Sequence, residues 1–233
     1  MRLKVNLHLH TGDDPMDSIA YSFEEMIQDA QKHGFDAIAL TLHEKAGATE
    51  KYVSYAQEHG ILLIPGIELS IETKKHVVVL NPGPDVESIH TFSALREHKE
   101  KNPECFIFAP HPFFSNSISL GSALLPHIQL FDAIESSWCY TKLIDFNKKA
   151  KRIAETHSLP YIATGDTHFL FLLPTTYIEI EANEKTIQEI FHAIRAGYFT
   201  NINPPKSFFT QIIPGSVPLI LKAFLQRKKK PIQ

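Results

Sequence analysis

The sequence predicts an α/β fold, with a closed or nearly closed βα barrel as the first candidate and a doubly wound open sheet as the second. Three observations carry this. Short apolar runs alternate with amphipathic stretches six or seven times along the chain, the pattern of parallel strands joined by crossover helices. The length of 233 residues suits one domain of barrel size. The 43% hydrophobic and 21% charged fractions are ordinary for a globular protein and exclude long disorder and coiled coils.

The elements follow in order. Leu3 to Leu9 reads as a strand, and Ser22 to Glu25 is a capping box that opens a helix closed at His33-Gly34. Ala37 to Thr41 is a buried strand, Glu50 to His59 a helix ended by Gly60, and Leu62 to Ile67 the next strand. Ile71 and His76 to Leu80 suggest another strand across a Thr73-Lys74-Lys75 turn, and a polar helix is expected over Val86 to Lys101. Cys105 to Ala109, Ala133 to Ser136, Tyr161 to Thr164 and Tyr177 to Ile180 complete the strands, with helices near Lys142 to His157 and Glu184 to Ala196. With no low-complexity linker or internal repeat, a single domain is expected over residues 1–200, followed by a C-terminal extension over 201–233.

Charge and cysteine usage narrow the class. With 23 basic and 26 acidic side chains the formal net charge is −3, which provides no broad electrostatic footprint for a nucleic-acid backbone. The expectation is a small substrate held locally and no extended nucleic-acid surface. Cys105 and Cys139 form no framework and no C-x-x-C, so a reduced, cytoplasmic protein is expected. The first residues lack the apolar core of a secretory signal, and no stretch approaches the ~20 apolar residues of a membrane helix. The Arg227 to Lys230 run reads as a solvated tail.

Thirteen histidines are the unusual feature. Residues two apart on a strand share a face, so His8 and His10 project together and suit one metal ion. Further strands end in Thr41-Leu42-His43, Gly66-Ile67-Glu68, Ala109-Pro110-His111 and Gly165-Asp166-Thr167-His168. In a parallel barrel all these ends open on one face, where active sites are built. A single strand-end histidine is more often a satisfied core residue; a series of ends finishing in His, Glu or Asp points to a metal site. His33, His59 and His157 sit at helix C-termini, where an imidazole complements the dipole.

These residues, His8-x-His10, His43, Gly66-Ile67-Glu68, His76, Ala109-Pro110-His111-Pro112 and Gly165-Asp166-Thr167-His168, resemble the PHP (polymerase and histidinol phosphatase) superfamily. The resemblance runs from residue 3 to about Gly197. It implies a distorted (βα)7 TIM-like barrel and a free-standing, metal-dependent phosphoesterase with two or three divalent ions, zinc, manganese, iron or magnesium. Carried over, it implies that His8, His10, Glu68 and Asp166 surround one ion, that Glu68 bridges to a second held by His76 and His111, and that His43, His168 and an acidic residue from Asp13 to Asp17 hold a third. Asp14 is preferred over Asp13 and Asp17 for that place. Two departures stand out: Asn6 and Leu42 occupy positions where the family commonly carries Asp, removing carboxylates that orient imidazoles.

The implied chemistry is attack of a metal-activated hydroxide on a small phosphorylated metabolite or nucleotide, as a monoester or diester. Glu68, His43 and His168 are the candidate catalytic residues, Lys45 the candidate phosphate contact, and Arg195 and Lys206 weaker ones. Glu135 is expected at the rim of the site as a hydrogen-bond acceptor, and Phe113 to Ser122 as a substrate loop. The alternatives are an amidohydrolase-type barrel, which would need a bridging carbamylated Lys where this chain has Glu68, and a non-catalytic metal-binding module.

Overall fold

The strands wrap into a barrel-shaped sheet that is nearly closed. The structure, a computed structural model, describes residues 1–72 and 74–215; the Arg227 to Lys230 run and most of the expected extension lie outside the described residues. Among them the elements run β1 (Arg2–Leu9), α1 (Phe23–Lys32), β2 (Ala37–Leu40), α2 (Glu50–Glu58), β3 (Leu62–Ile71), β4 (Lys75–Leu80), α3 (Phe92–Lys101), β5 (Phe106–Ala109), β6 (Ala133–Ser137), α4 (Asn147–Thr156), β7 (Tyr161–Thr164), β8 (Tyr177–Glu181), α5 (Ile187–Ala196) and β9 (Phe199–Ile202). The strand order is β7-β6-β5-β4-β3-β2-β1-β8-β9.

The barrel class is as expected, while strand directions differ from an all-parallel count. β1, β2 and β3 are parallel neighbours, as are β5, β6 and β7. β4 pairs antiparallel to β3 because the turn joining them is too short for a crossover helix. β8 pairs antiparallel to β1, and β9 to β8. β9 was not anticipated because Phe-Thr-Asn-Ile has no apolar run. The helix expected over Val86 to Lys101 is instead a 3-10 turn, Val86–Ser88, and then α3 capped by the Thr91 side chain. α4 starts at Asn147, leaving 138–146 as a loop, and α5 starts after its Thr186 cap.

Alternation along each strand sorts the core from the site. Ala37 and Ala39 of β2, Ile64 of β3, Val78 and Leu80 of β4, and Phe106 and Phe108 of β5 fill the interior, closed below by Phe191 of α5. The alternate residues Ile38 and Leu40 pack outward under α1 and α2, and Ile67, Val77 and Ile107 pack outward toward α3. Glu68 and His76 therefore share the inward parity of Ile64 and Val78. On β1 a register shift between Asn6 and Leu9 breaks the alternation. Leu3, Val5 and Leu7 belong to the interior while Leu9 packs outward, which turns His8 and His10 inward above Phe108.

Side-chain amides stitch the seam where β7 lacks a ladder partner. Asn201 Oδ1 accepts the Ala163 N–H at 2.6 Å and its Nδ2 donates to the Tyr161 carbonyl at 2.8 Å. Asn203 Nδ2 donates to the Ser136 and Ser137 carbonyls at 3.1 Å. At the upper end Leu9 bridges to Thr167, with His10 N–H donating to the Thr167 carbonyl at 3.2 Å.

Candidate metal centre

The inward-facing strand ends converge on Glu68. Its two carboxylate oxygens face different imidazoles. Oε2 lies 3.2 Å from His8 Nε2, 3.4 Å from His10 Nε2 and 3.1 Å from His43 Nε2. Oε1 lies 2.7 Å from His76 Nδ1 and 3.2 Å from His111 Nε2. Asp166 Oδ1 adds a second carboxylate 3.5 Å from His10 Nε2 and 3.7 Å from His8 Nε2. Three sets of donor atoms come within reach of a common ion: His8, His10, Glu68 and Asp166; His43, Glu68 and His76; and His10, His43 and His168.

Local backbone helps to aim the donors. His111 and Asp166, neither of them glycine, both hold positive φ, 27° and 40°. That conformation is costly for L-residues and concentrates at functional sites. Pro110 and Pro112 flank His111. The 113–122 segment is tied down beside it: Ser119 Oγ donates to the His111 carbonyl at 2.8 Å, and His76 N–H donates to the Ile118 carbonyl at 2.9 Å.

The donor set fits divalent ions. The buried Nε2 of His10 has no hydrogen-bond partner, although carboxylate oxygens lie on two sides of it. Imidazole nitrogens with carboxylate oxygens, and no thiolate among them, suit zinc, manganese or iron.

Behind the imidazoles a second set of carboxylates fixes their orientation. Asp14 Oδ2 accepts from His10 Nδ1 and from His43 Nδ1, each at 2.9 Å, and from the His43 backbone N–H at 2.9 Å. Glu135 Oε2 accepts from His8 Nδ1 at 3.1 Å. Each contact leaves the ring's Nε2 directed at Glu68. The structure thus sets Asp14 behind the ring nitrogens and not among the ligand atoms, the place expected for it from the resemblance. At the third member of the His10, His43 and His168 group Asp17 is the acidic neighbour from this segment, its Oδ2 3.0 Å from His168 Nε2. The carboxylates missing at Asn6 and Leu42 are therefore supplied from elsewhere in the chain. Leu42 itself is buried among the outer core residues.

The remaining candidate cations separate. Lys45 is exposed on the loop after β2, its Nζ 3.5 Å from the Asp13 carbonyl. Arg195 is paired to Asp132 at 3.2 Å and also donates to the Cys105 carbonyl. Lys206 is buried, its Nζ donating to the Thr175 and Pro204 carbonyls at 2.9 and 3.0 Å. Lys206 is thus closed to a phosphate, and the Arg195 guanidinium is shared with Asp132.

Charge within the cluster is strongly coupled. Burial disfavours imidazolium at His8 and His43, but Glu68 and the neighbouring carboxylates outweigh it and hold both well above the ordinary histidine range. Burial and the charge of His43 also oppose protonation of His10, yet its contacts to Asp14, Asp166 and Glu68 push it up to about 9. Glu68 and Asp166 are buried, which favours their neutral forms, but the surrounding imidazoles hold both well below the carboxylate range. At His76 burial prevails and lowers the pKa.

Fold and donor set together define a barrel with a candidate metal centre at one end. The PHP domain profile matches residues 6–204, and the chain belongs to the PHP domain family. Over 80 residues, 34% of this chain and 7% of the relative, it is 36% identical to an error-prone DNA polymerase of Symbiobacterium thermophilum. Over 68 residues, 29% of this chain and 5% of the relative, it is 35% identical to a PolC-type DNA polymerase III of Bacillus subtilis. The chain therefore spans under a tenth of the length of these polymerases.

Among solved structures, the lesion-specific endonuclease PfuEndoQ of Pyrococcus furiosus shares the fold with a TM-score of 0.65 at 16% identity, over 86% of this chain and 58% of that one. PsfC from Pseudomonas syringae does so with a TM-score of 0.65 at 16% identity, over 96% and 99%. Endonuclease Q bound to a 27-mer duplex with an abasic lesion at its active site matches with a TM-score of 0.63 at 15% identity, over 84% and 57%.

These matches correct the expectation of a small phosphorylated substrate and no extended nucleic-acid surface. The similar proteins include DNA polymerases and an endonuclease solved on duplex DNA. The physical reason is that a net charge sums over the whole chain, whereas a strand is gripped by cations on one face. For localisation, no helix among the described residues is long and apolar enough to cross a membrane.

Proposed function

We propose that the site hydrolyses a phosphodiester bond of a nucleic-acid strand, using two or three divalent ions of zinc, manganese or iron. The observation that carries this reading is the division of Glu68, one oxygen toward His8, His10 and His43 and the other toward His76 and His111. A carboxylate so divided suits a bridge between two ions. The nucleic-acid character of the substrate is supported by the polymerase and endonuclease likenesses.

His8, His10, Glu68 and Asp166 would hold one ion, Glu68, His76 and His111 a second, and His43, His168 and Asp17 a third. Bound divalent ions supply a water that ionises near neutral pH and a Lewis acid for the phosphoryl oxygens. The chain's own residues do the rest. Asp14 and Glu135 keep the Nδ1 protons of His10, His43 and His8 in place, so each Nε2 stays free to ligate. His43 and His168 serve this site as ligands, His43 with its Nδ1 proton committed to Asp14. Lys45, exposed beside them, contacts a phosphate of the strand.

The test is cleavage of end-labelled single-stranded and duplex oligonucleotides by protein loaded with manganese or zinc, beside Glu68→Gln. Cleavage lost together with metal content in the variant is the expected result. Well-metallated protein that cuts none of these substrates overturns the reading.

A further inference from the structure

The loop from β6 to α4 has a composition that the fold does not explain. Its last residues and the first turn of α4, 142–149, read Lys-Leu-Ile-Asp-Phe-Asn-Lys-Lys, three lysines against one carboxylate. Leu143 is 95% exposed, Ile144 53% and Phe146 42%. Apolar side chains grouped in this way at a surface mark a contact site.

Its position is specific. β6 runs parallel to β5 and β7, so the loop leaves the end of the barrel that carries the metal ligands. The Phe146 ring packs on Phe114, with centroids 5.3 Å apart, and Phe114 in turn stands edge-on to the His111 ring at 6.4 Å. An aromatic step thus leads from an imidazole of the site to the exposed loop. Beside it Lys149 places its Nζ 4.4 Å over the ring of Phe113, leaving a cation at the edge of the aromatic group.

We propose that Phe114, Phe146 and the Leu143-Ile144 tip form a stacking platform for unpaired bases, with Lys142, Lys148 and Lys149 along the backbone of the same strand. The substrate is therefore a single strand or a locally unstacked segment, and not an intact duplex. This rests on the nucleic-acid reading of the site and adds to it the strand state. Charge complementarity selects this occupant: an apolar tip alone suits a protein partner, whereas aromatic faces interleaved with lysines are the composition of a single-strand platform. A base stacked on an aromatic ring is sequence-tolerant, and an apolar tip fits between separated base steps.

The experiment is fluorescence anisotropy of a labelled oligothymidylate and of a blunt duplex, with the intact protein in calcium. Variants are Phe146→Leu, Phe146→Trp, Lys148→Glu/Lys149→Glu and Leu143→Ser/Ile144→Ser. The platform requires single-strand binding tighter than duplex binding, at least about fivefold weaker binding in Phe146→Leu, and retention in Phe146→Trp. It also requires a shallower salt dependence in the double glutamate variant. Phe146 is largely at the surface, and circular dichroism verifies that each variant is folded. Wild-type binding that is equal in Phe146→Leu and in both double variants, or that favours the duplex, overturns the platform and leaves the nucleic-acid reading standing. Wild-type protein that binds neither ligand overturns both.

Discussion

Asn6 Oδ1 accepts the backbone N–H of Gly165 at 3.0 Å, while the Nδ2 of the same amide donates to the Thr176 carbonyl at 3.1 Å. One side chain thus joins β1 to the loop that carries Asp166 and to the start of β8. The approach is close: a Cβ on Gly165 would come within 2.6 Å of Asn6 Nδ2. An aspartate, which the family commonly carries here, accepts the first bond and cannot make the second. Asn6→Asp therefore leaves the Thr176 carbonyl facing a carboxylate in a fully buried position. The expected cost is about 1–3 kcal/mol, read as a lower urea midpoint with an unchanged slope.

The carboxylates behind the imidazoles predict a separate effect on metal affinity. Asp14→Ala and Glu135→Ala each remove an acceptor that fixes a ring tautomer, at His10 and His43 in the first case and at His8 in the second. Chelator competition is expected to show about 10- to 100-fold weaker binding of the ions. A Glu135→Gln variant, which retains an acceptor oxygen, is expected to recover part of that loss. Affinity equal to wild type in Asp14→Ala would return this residue to a purely structural role.

Much of this arrangement is legible in the sequence because period-two alternation and the position of His8, His10, His43 and His111 at or just past strand ends are local properties, whereas Glu68, expected at a strand end, lies inside β3, which continues to Ile71 in its pairing with β4. What is not legible depends on tertiary return. Asp14 reaches behind His43 only because the chain turns after Thr11, where Asp14 N–H donates to the Thr11 carbonyl at 3.0 Å. Residue spacing cannot distinguish that position from a ligand's. β9 escapes notice because its pairing rests on neighbouring strands and on amides such as Asn201, not on apolar pattern. The three lysines of residues 142–149 are averaged away in a net charge of −3, so composition says nothing about a local basic face.

Metal-free and metal-loaded protein are expected to respond to pH with opposite slopes. His10 is raised from 6.5 to about 9 in the folded chain, so its stabilising contribution is complete below pH 6.5 and is lost as pH rises through 9. The shift corresponds to about 3 kcal/mol. Glu68 and Asp166 are depressed, and their contributions persist above the ordinary carboxylate range and fade only as acid titrates the folded groups. Metal binding requires neutral imidazoles and releases their protons, so ion affinity climbs over the window in which the metal-free cluster weakens. Thermal unfolding at pH 6 and pH 9, with and without chelator, checks this: the stabilisation by metal is larger at pH 9.

Lys206 offers a titration far simpler than that of the cluster. It is 3% exposed, its ammonium donates to the Thr175 and Pro204 carbonyls and to Asn203 Oδ1 at 3.2 Å, and burial lowers its pKa from 10.5 to about 8. Below pH 8 the folded protein carries a buried charge that the unfolded chain keeps in water. Between pH 8 and 10.5 the unfolded state binds the additional proton, so stability rises with pH through that window, by about 3 kcal/mol in full. Lys206→Met has no such proton to lose. In urea titrations from pH 7 to pH 10, wild type is expected to gain on the variant steadily above pH 8, and a difference that stays flat across the series would show that the amine is not desolvated.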